Sequence, residues 1–355
     1  MTLPELTSRL KDGGLRHFDE LIHEQSKEWL LANFSEGASD FPVNIARLMR
    51  NIVWQLRERV MSGARDPLHE LVRTFWYMFI KPTLARAGVL STESDQYAQL
   101  VDNMVAMVKE LDAMRYKDIG FRDDNAANRK VGGNVHIILF AEKLGHRAFL
   151  DEVAAKYDIT TVALGGQPSV INVEYMVDSL RATGVDLRRS FYLFSIVDFD
   201  TSGWIIQQAF LDDLKFYGIP NARLIELVNP DQLTPDEVKL SRYPLPAGLD
   251  MKLKNETWLR QVRERNYKNQ PLLEEKAGDV VTLYGLESES ISSQRLMAEL
   301  EQVMVPLLGK NEDLLKIYEL RKLNQAVKDL IIHKITHGEQ TPAPAARRPK
   351  GARHD

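Results

Sequence analysis

An α/β fold built on a parallel sheet, with helices before and after it, is predicted by three features of this 355-residue sequence. From Val135 to about 230, short apolar runs rich in β-branched and aromatic residues alternate with stretches of helical periodicity, the pattern of strands covered on both faces by the helices between them. From about 4 to 115, and again beyond about 290, apolar residues recur at helical spacing. The composition, 44% hydrophobic and 27% charged, supplies enough apolar surface for two folded domains.

In chain order, FPVNIARLMRNIVWQLRERV places Ile45, Leu48, Met49, Ile52, Val53 and Leu56 on one helical face. PLHELVRTFWYMFIKPTLARAG begins at Pro67 and ends at Gly88, and Pro82 should break or kink it, so the helix carrying Phe75, Trp76 and Tyr77 is expected to be short. STES at 91–94 opens a further helix over DQYAQLVDNMVAMVKELDAMRY, and FRDDNAANRKVGGN reads as a linker. Then strand-like runs VHIILFAE, ITTVALGG, FYLFSIVDFD and ARLIELV are separated by helical HRAFLDEVAAKY, SVINVEYMVDSLRATG and GWIIQQAFLDDLKFYG. Beyond 230 come loops (NPDQLTPDEV, YPLPAG) and a helical end in ISSQRLMAELEQVMVPLL and EDLLKIYELRKLNQAVKDLIIHKI. GEQTPAPAARRPKGARHD, with almost no large apolar residues, reads as a disordered basic tail. The resulting divisions are a helical extension over 1–60, a second segment over 61–130, the α/β region with its helical elaboration over 131–337, and the tail over 338–355.

Several chemistries drop out. Cysteine is absent, which removes disulfides, thiolate zinc sites and cysteine nucleophiles and fits a reducing cytoplasm. The histidines form no HExxH pair and there is no GxxxxGK[ST] loop, so neither a zinc hydrolase nor an intrinsic P-loop ATPase is expected. The N-terminus lacks a signal-peptide pattern and no run approaches a membrane span, so a cytosolic protein without membrane contact is expected. A net charge of −4 offers no overall attraction to nucleic acid, so DNA binding would need a local basic surface or a bridging metal.

Chemistry-bearing residues gather at the predicted strand ends, where ligands bind in open parallel sheets. Glu142 ends the first strand, and Asp198 and Asp200, two apart on an extended chain, point to one side at the end of a later one. Three carboxylates of this kind suit Mg2+, with Mn2+ as a substitute. The competing reading makes the aspartates N-caps for a helix starting near Thr201, which accounts for one aspartate but not both. Gly165 and Gly166 lie at another strand end, where missing side chains would admit a phosphate backbone. His146 could line the same cleft, and Lys143 and Arg147 could touch phosphates.

FAEKLGHRAFLDEV, VALGGQPSV and VDFDTSGWIIQQAFLDDLKFYG together resemble the Glu, glycine and Asp motifs of the Toprim domain in type IIB topoisomerase A subunits and the related meiotic double-strand-break transesterase. Gly203 stands at the family's glycine and Thr201 at its proline, while YGLESESISSQRLMAELEQVM resembles a C-terminal stretch where an acidic pair precedes a helix. The resemblance covers roughly 70–310. It implies a winged-helix domain over 61–130 bearing a nucleophilic tyrosine, preceded by an arginine and an aromatic partner. In LVRTFWYMF these are Arg73, Trp76 (in place of a tyrosine) and Tyr77.

Further implications of the resemblance are magnesium-dependent cleavage of double-stranded DNA through a 5′-phosphotyrosyl intermediate, a homodimer, a GHKL-type ATPase B subunit as partner, and association with the nucleoid. Arg73, four residues before Tyr77, shares its helical face and could hold the attacked phosphate. Against this stands FWYMF as plain core packing, in which Phe75, Trp76 and Phe79 belong to the core. Two other functions remain: a Toprim nuclease using metal-activated water, and a non-catalytic DNA-binding subunit, which would have no use for three costly carboxylates.

Overall fold

The computed structural model describes residues 45–309, apart from 87–88, 94, 167–168, 247–248, 266, 268–271 and 277–278, together with scattered positions between 323 and 334. The helices expected before 45 and the tail expected over 338–355 lie outside the described residues. The chain divides into two compact units, Met1–Met297 and Ala298–Asp355. In the second unit the described residues are helical.

Helix α1 (Ile45–Met61) buries the expected stripe of Leu48, Met49, Ile52, Val53 and Leu56 completely. The next helical run differs from expectation at Pro82. Instead of breaking, it passes from α2 (Val72–Phe75) through a π turn (Trp76–Ile80) into α3 (Lys81–Arg86). A proline has no N–H and collides with the carbonyl four residues back in an α-helix; the wider π turn directly ahead of Pro82 keeps the chain helical past it. α4 (Tyr97–Lys109) and α5 (Tyr116–Ile119) complete this part. Among the described residues of 61–130 the one strand is β1 (Arg129–Lys130), which pairs with the sheet.

The sheet is the predicted one. β2 (Asn134–Ala141), β3 (Ile159–Ala163), β4 (Phe191–Ile196) and β5 (Ala222–Glu226) are parallel, with β1 antiparallel at one edge in the order β1-β3-β2-β4-β5. β2, β3 and β4 bury nearly every residue, as their unbroken apolar runs require. Between them run α6 (Arg147–Tyr157), α7 (Val170–Ala182) and α8 (Thr201–Phe216). Ala141 lies opposite Ala163 on one side and Ile196 on the other, so β2, β3 and β4 end level and release their next residues at one edge.

The helices of 45–119 share one continuous core with this sheet: Leu100, Met104 and Met107 belong to the same buried cluster as Val173, Met176 and Val177. Glu174, fully buried on α7, stitches the two parts by accepting from the backbone N–H groups of Tyr116 (3.2 Å) and Lys117 (3.0 Å) and from the Tyr217 hydroxyl (3.0 Å).

Past β5, where loops were expected, α9 (Pro235–Ser241), β6 (Arg242–Pro244), α10 (Leu249–Arg265), β7 (Leu273–Lys276) and β8 (Asp279–Leu286) include a second, antiparallel sheet in the order β6-β8-β7, before α11 (Ser293–Gly309). A bridge between Phe199 and Leu286 (N–H to O=C, 2.8 and 3.2 Å) brings the end of β8 onto the loop after β4. Among the described residues no helix is long and apolar enough to cross a membrane.

Candidate active site

Level strand ends place Glu142, the Gly165–Gly166 loop and the Val197–Asp200 loop together. The Glu142 N–H donates to Ile196 O (3.0 Å), and Glu142 O accepts from the Gly166 N–H (2.9 Å). Gly165 and Gly166 have φ of +70° and +124°, conformations open to glycine and strained for other residues. A carboxylate oxygen of Glu142 faces the Asp198 N–H at 3.4 Å. Burial, and then the negative charge of Asp198, push the Glu142 carboxyl above its ordinary range, with Asp200 adding to the effect.

Asp198 is satisfied from a distant part of the chain. Its Oδ1 accepts from the Ser288 N–H (2.8 Å) and meets Lys143 Nζ (3.0 Å). That ammonium also pairs with Glu287 and lies 3.7 Å from Glu289. Burial alone would lower the Lys143 pKa, but the hydrogen bonds to Glu287 and Asp198 outweigh it and raise the pKa above the usual lysine value. Lys143 is thus the counter-cation of an acidic cluster.

Asp200 behaves as the competing reading had it. It is the N-cap of α8: Oδ1 accepts from the Gly203 N–H (2.7 Å), while Oδ2 accepts from the Tyr243 hydroxyl (2.7 Å). Burial raises its pKa against these bonds, and burial with the Asp200 bond raises that of Tyr243. Gly203 is required here because a Cβ would lie 1.9 Å from Asp198 O. Each oxygen of Asp200 accepts one hydrogen bond, and among the described residues no three acidic or histidine side chains are placed to hold a metal ion. What is gathered is Glu142 against Asp198, with Glu287 and Glu289 reaching the same side through Lys143.

His146 is buried against Ser288, Nε2 to Oγ 3.1 Å, and burial lowers its pKa; it supports the loop that holds Asp198. Arg147 is bound to the 126–128 turn through Asn128 Oδ1 (3.2 Å) and Ala127 O (3.0 Å).

The π turn divides its aromatics by environment. Phe75 and Trp76 are buried, Phe79 packs against the core, and Tyr77 is 37% exposed. The Tyr77 hydroxyl donates to Asp95 Oδ2 (2.7 Å), and the Trp76 indole N–H donates to Asp95 Oδ1 (3.2 Å), which also accepts from the Tyr97 N–H (3.1 Å). The guanidinium of Arg73 lies 5.3 Å from the ring centres of both Tyr77 and Tyr97, and Lys81 Nζ lies 5.6 Å from that of Tyr77. The bond to Asp95 raises the Tyr77 pKa, and the same bond lowers that of Asp95. Arg73 also lines a cavity of about 400 Å3 with Tyr97, Arg122, Asp124 and Ser169.

Among the described residues no hydrogen bond, ion pair or ring contact joins Tyr77 or Arg73 to Glu142, Asp198 or Asp200. Sequence reasoning missed Asp95 and the part played by Lys143. Glu287 and Glu289 were visible as the acidic pair of LESES, without a partner. No family model matches this sequence, and no curated protein matches it.

Proposed function

We propose that this protein cleaves double-stranded DNA by transesterification, with Tyr77 as nucleophile on a helical platform and a Toprim-type sheet carrying the acidic site. The observation that supports this reading above core packing is the placement of Tyr77. Its hydroxyl is exposed on a π turn, bonded to an ionised carboxylate and flanked by Arg73 and Lys81, whereas Phe75 and Trp76 beside it are buried. π turns inside helices recur at functional sites.

In the proposed reaction the Tyr77 oxygen forms a bond to phosphorus as the bond from phosphorus to the 3′ oxygen breaks, leaving a 5′-phosphotyrosyl link and a free 3′ hydroxyl. Arg73 and Lys81 hold the phosphate and oppose its charge. Glu142, Asp198 and Asp200, the ligands the resemblance implies, would hold Mg2+ or Mn2+, and the ion would supply positive charge to the phosphoryl oxygens and the departing oxygen. Asp200 keeps the loop of Asp198 in place as the cap of α8. The resemblance implies a homodimer in which the tyrosine of one copy serves the carboxylates of its partner. Strand passage would further need an ATP-driven partner of the GHKL B-subunit type, and the setting would be the cytoplasmic nucleoid.

The lack of contact between Tyr77 and the carboxylates among the described residues favours one alternative, a Toprim nuclease in which metal-activated water cuts DNA and Tyr77 takes no part. End-labelled supercoiled DNA incubated with the protein and Mg2+ or Mn2+, then quenched with detergent, separates the two. The transesterase gives protein-linked DNA that is lost in Tyr77→Phe and in Asp198→Ala. Cutting without linkage that survives Tyr77→Phe but not Asp198→Ala identifies the nuclease.

A further inference from the structure

We propose that Asp95 is the proton acceptor for Tyr77, held in place for that task by the indole of Trp76. The proposal rests on the transesterase reading and adds to it the residue that handles the nucleophile's proton. Its basis is the division of labour between the two oxygens of Asp95. Oδ1 is anchored by two donors, the Trp76 indole N–H (3.2 Å) and the Tyr97 N–H (3.1 Å). Among the described residues Oδ2 is left to the Tyr77 hydroxyl, at 2.7 Å. Trp76 is fully buried, so the anchor is rigid, while the pair it serves is at the surface where a DNA strand can reach. Consecutive aromatic residues thus bind one carboxylate, one oxygen each, which gives the tryptophan beside the tyrosine a specific use beyond packing.

A nucleophile bonded to a base, with the base oriented by a third group, is the arrangement that activates weak hydroxyl nucleophiles. In the ground state the proton stays on the phenol, whose ordinary pKa is about 10 against about 3.9 for an aspartate. As the bond from oxygen to phosphorus forms, the phenolic oxygen loses electron density and the proton passes to Asp95 Oδ2. The 3′ oxygen leaves with the bonding pair and takes a proton from water, and Asp95 then releases its own to solvent. In the reverse direction protonated Asp95 returns the proton to the departing Tyr77 oxygen. The charged and titratable groups facing the pair are Arg73 and Lys81 from the same helical run and Tyr97 from α4. The two cations favour phenolate as it develops, and Asp95 removes the proton without placing free phenolate in the resting protein.

The test is the rate of covalent protein–DNA complex formation in a single turnover with Mg2+, followed against pH for the full chain, Asp95→Asn, Asp95→Ala and Tyr77→Phe. Asp95→Asn keeps an acceptor for the phenol but is a far weaker base. It should slow the step by about 10²–10⁴-fold and make the rate climb with pH toward the phenol pKa, where the unaltered chain shows a weaker dependence. In parallel, the Tyr77 ring carbon bonded to oxygen, followed by NMR with labelled tyrosine, should titrate at lower pH in Asp95→Asn, because a negative neighbour has been removed. Complex formation at the unaltered rate in Asp95→Asn, or a loss equal in Asn and Ala with an unchanged pH profile, overturns Asp95 as acceptor while leaving the tyrosine in place. No complex with the unaltered chain, or one that persists in Tyr77→Phe, overturns the transesterase reading and this proposal with it.

Discussion

The carboxylates at the end of the sheet and the phenol on the π turn are both polar groups set among charges, but burial leads the shifts in the first and only follows a hydrogen bond in the second. At the sheet end Glu142 and Asp200 are driven upward in pKa first by desolvation, and every carboxylate there leans on a partner from a distant segment: Lys143 and the Ser288 N–H for Asp198, Tyr243 for Asp200. On the π turn the shift in Tyr77 comes first from its bond to Asp95, and the whole group lies within a stretch of 25 residues from Arg73 to Tyr97. The difference teaches which polar groups are tied into the fold and which are tied only to near neighbours. The sheet end is held by the fold and in turn holds it, whereas the phenol pair can be altered with little cost to folding.

Asp200→Ala should break the comparison most visibly. It removes the cap of α8 and leaves the Tyr243 hydroxyl without its acceptor, for a combined loss of about 3 kcal/mol, read as a lower midpoint in urea unfolding; an unchanged midpoint would mean that Asp200 is free to serve elsewhere. Lys143→Ala should cost about 1 kcal/mol without divalent metal and tighten Mn2+ binding about tenfold or more, since a cation a few ångströms away is removed. Calorimetric titration checks this, and weaker Mn2+ binding would show that Lys143 does not compete for the site.

Glu142 sharpens the contrast through pH. Its folded pKa is raised, so the stability it contributes when protonated is complete below the unfolded carboxylate value of about 4.3 and is lost as pH rises through the higher folded value. Glu142→Gln removes that loss and should be more stable than the unaltered chain near neutral pH in chelator, with the advantage shrinking as the pH falls through that window. Thermal melts across pH measure it. The smallest effect belongs to Tyr77→Phe, which should change stability by no more than about 0.5 kcal/mol while abolishing covalent attachment to DNA; a large drop in melting temperature would return Tyr77 to the core.

Much of the sheet could be read in advance. VHIILFAE, ITTVALGG, FYLFSIVDFD and ARLIELV became β2 to β5, and the three helical stretches between them became α6 to α8, because a strand buried on both faces and an amphipathic helix each write their period into a few consecutive residues. The second sheet falls where the sequence pattern gives loops ahead of the helical end, since β6 and β7 are only three and four residues long and β6 pairs with a strand well removed along the chain. Pro82 was legible as a disturbance but not as a π turn, which depends on how the helix can stay packed on both sides of it.

The candidate site divides along the same line. Sequence by itself determined which strand ends carry Glu142, Asp198 and Asp200, and it placed Arg73 one turn ahead of Tyr77, because strand and helix geometry are local. Only the tertiary structure decided that Asp200 is spent on a cap and Tyr243, that Lys143 sits among Asp198, Glu287 and Glu289, and that Asp95 receives the hydroxyl of Tyr77. Apart from the cap itself, each of those choices pairs a charge with a group at least 18 residues away along the chain, and the partner of a charge is selected by desolvation and distance in the folded state, neither of which a linear pattern records.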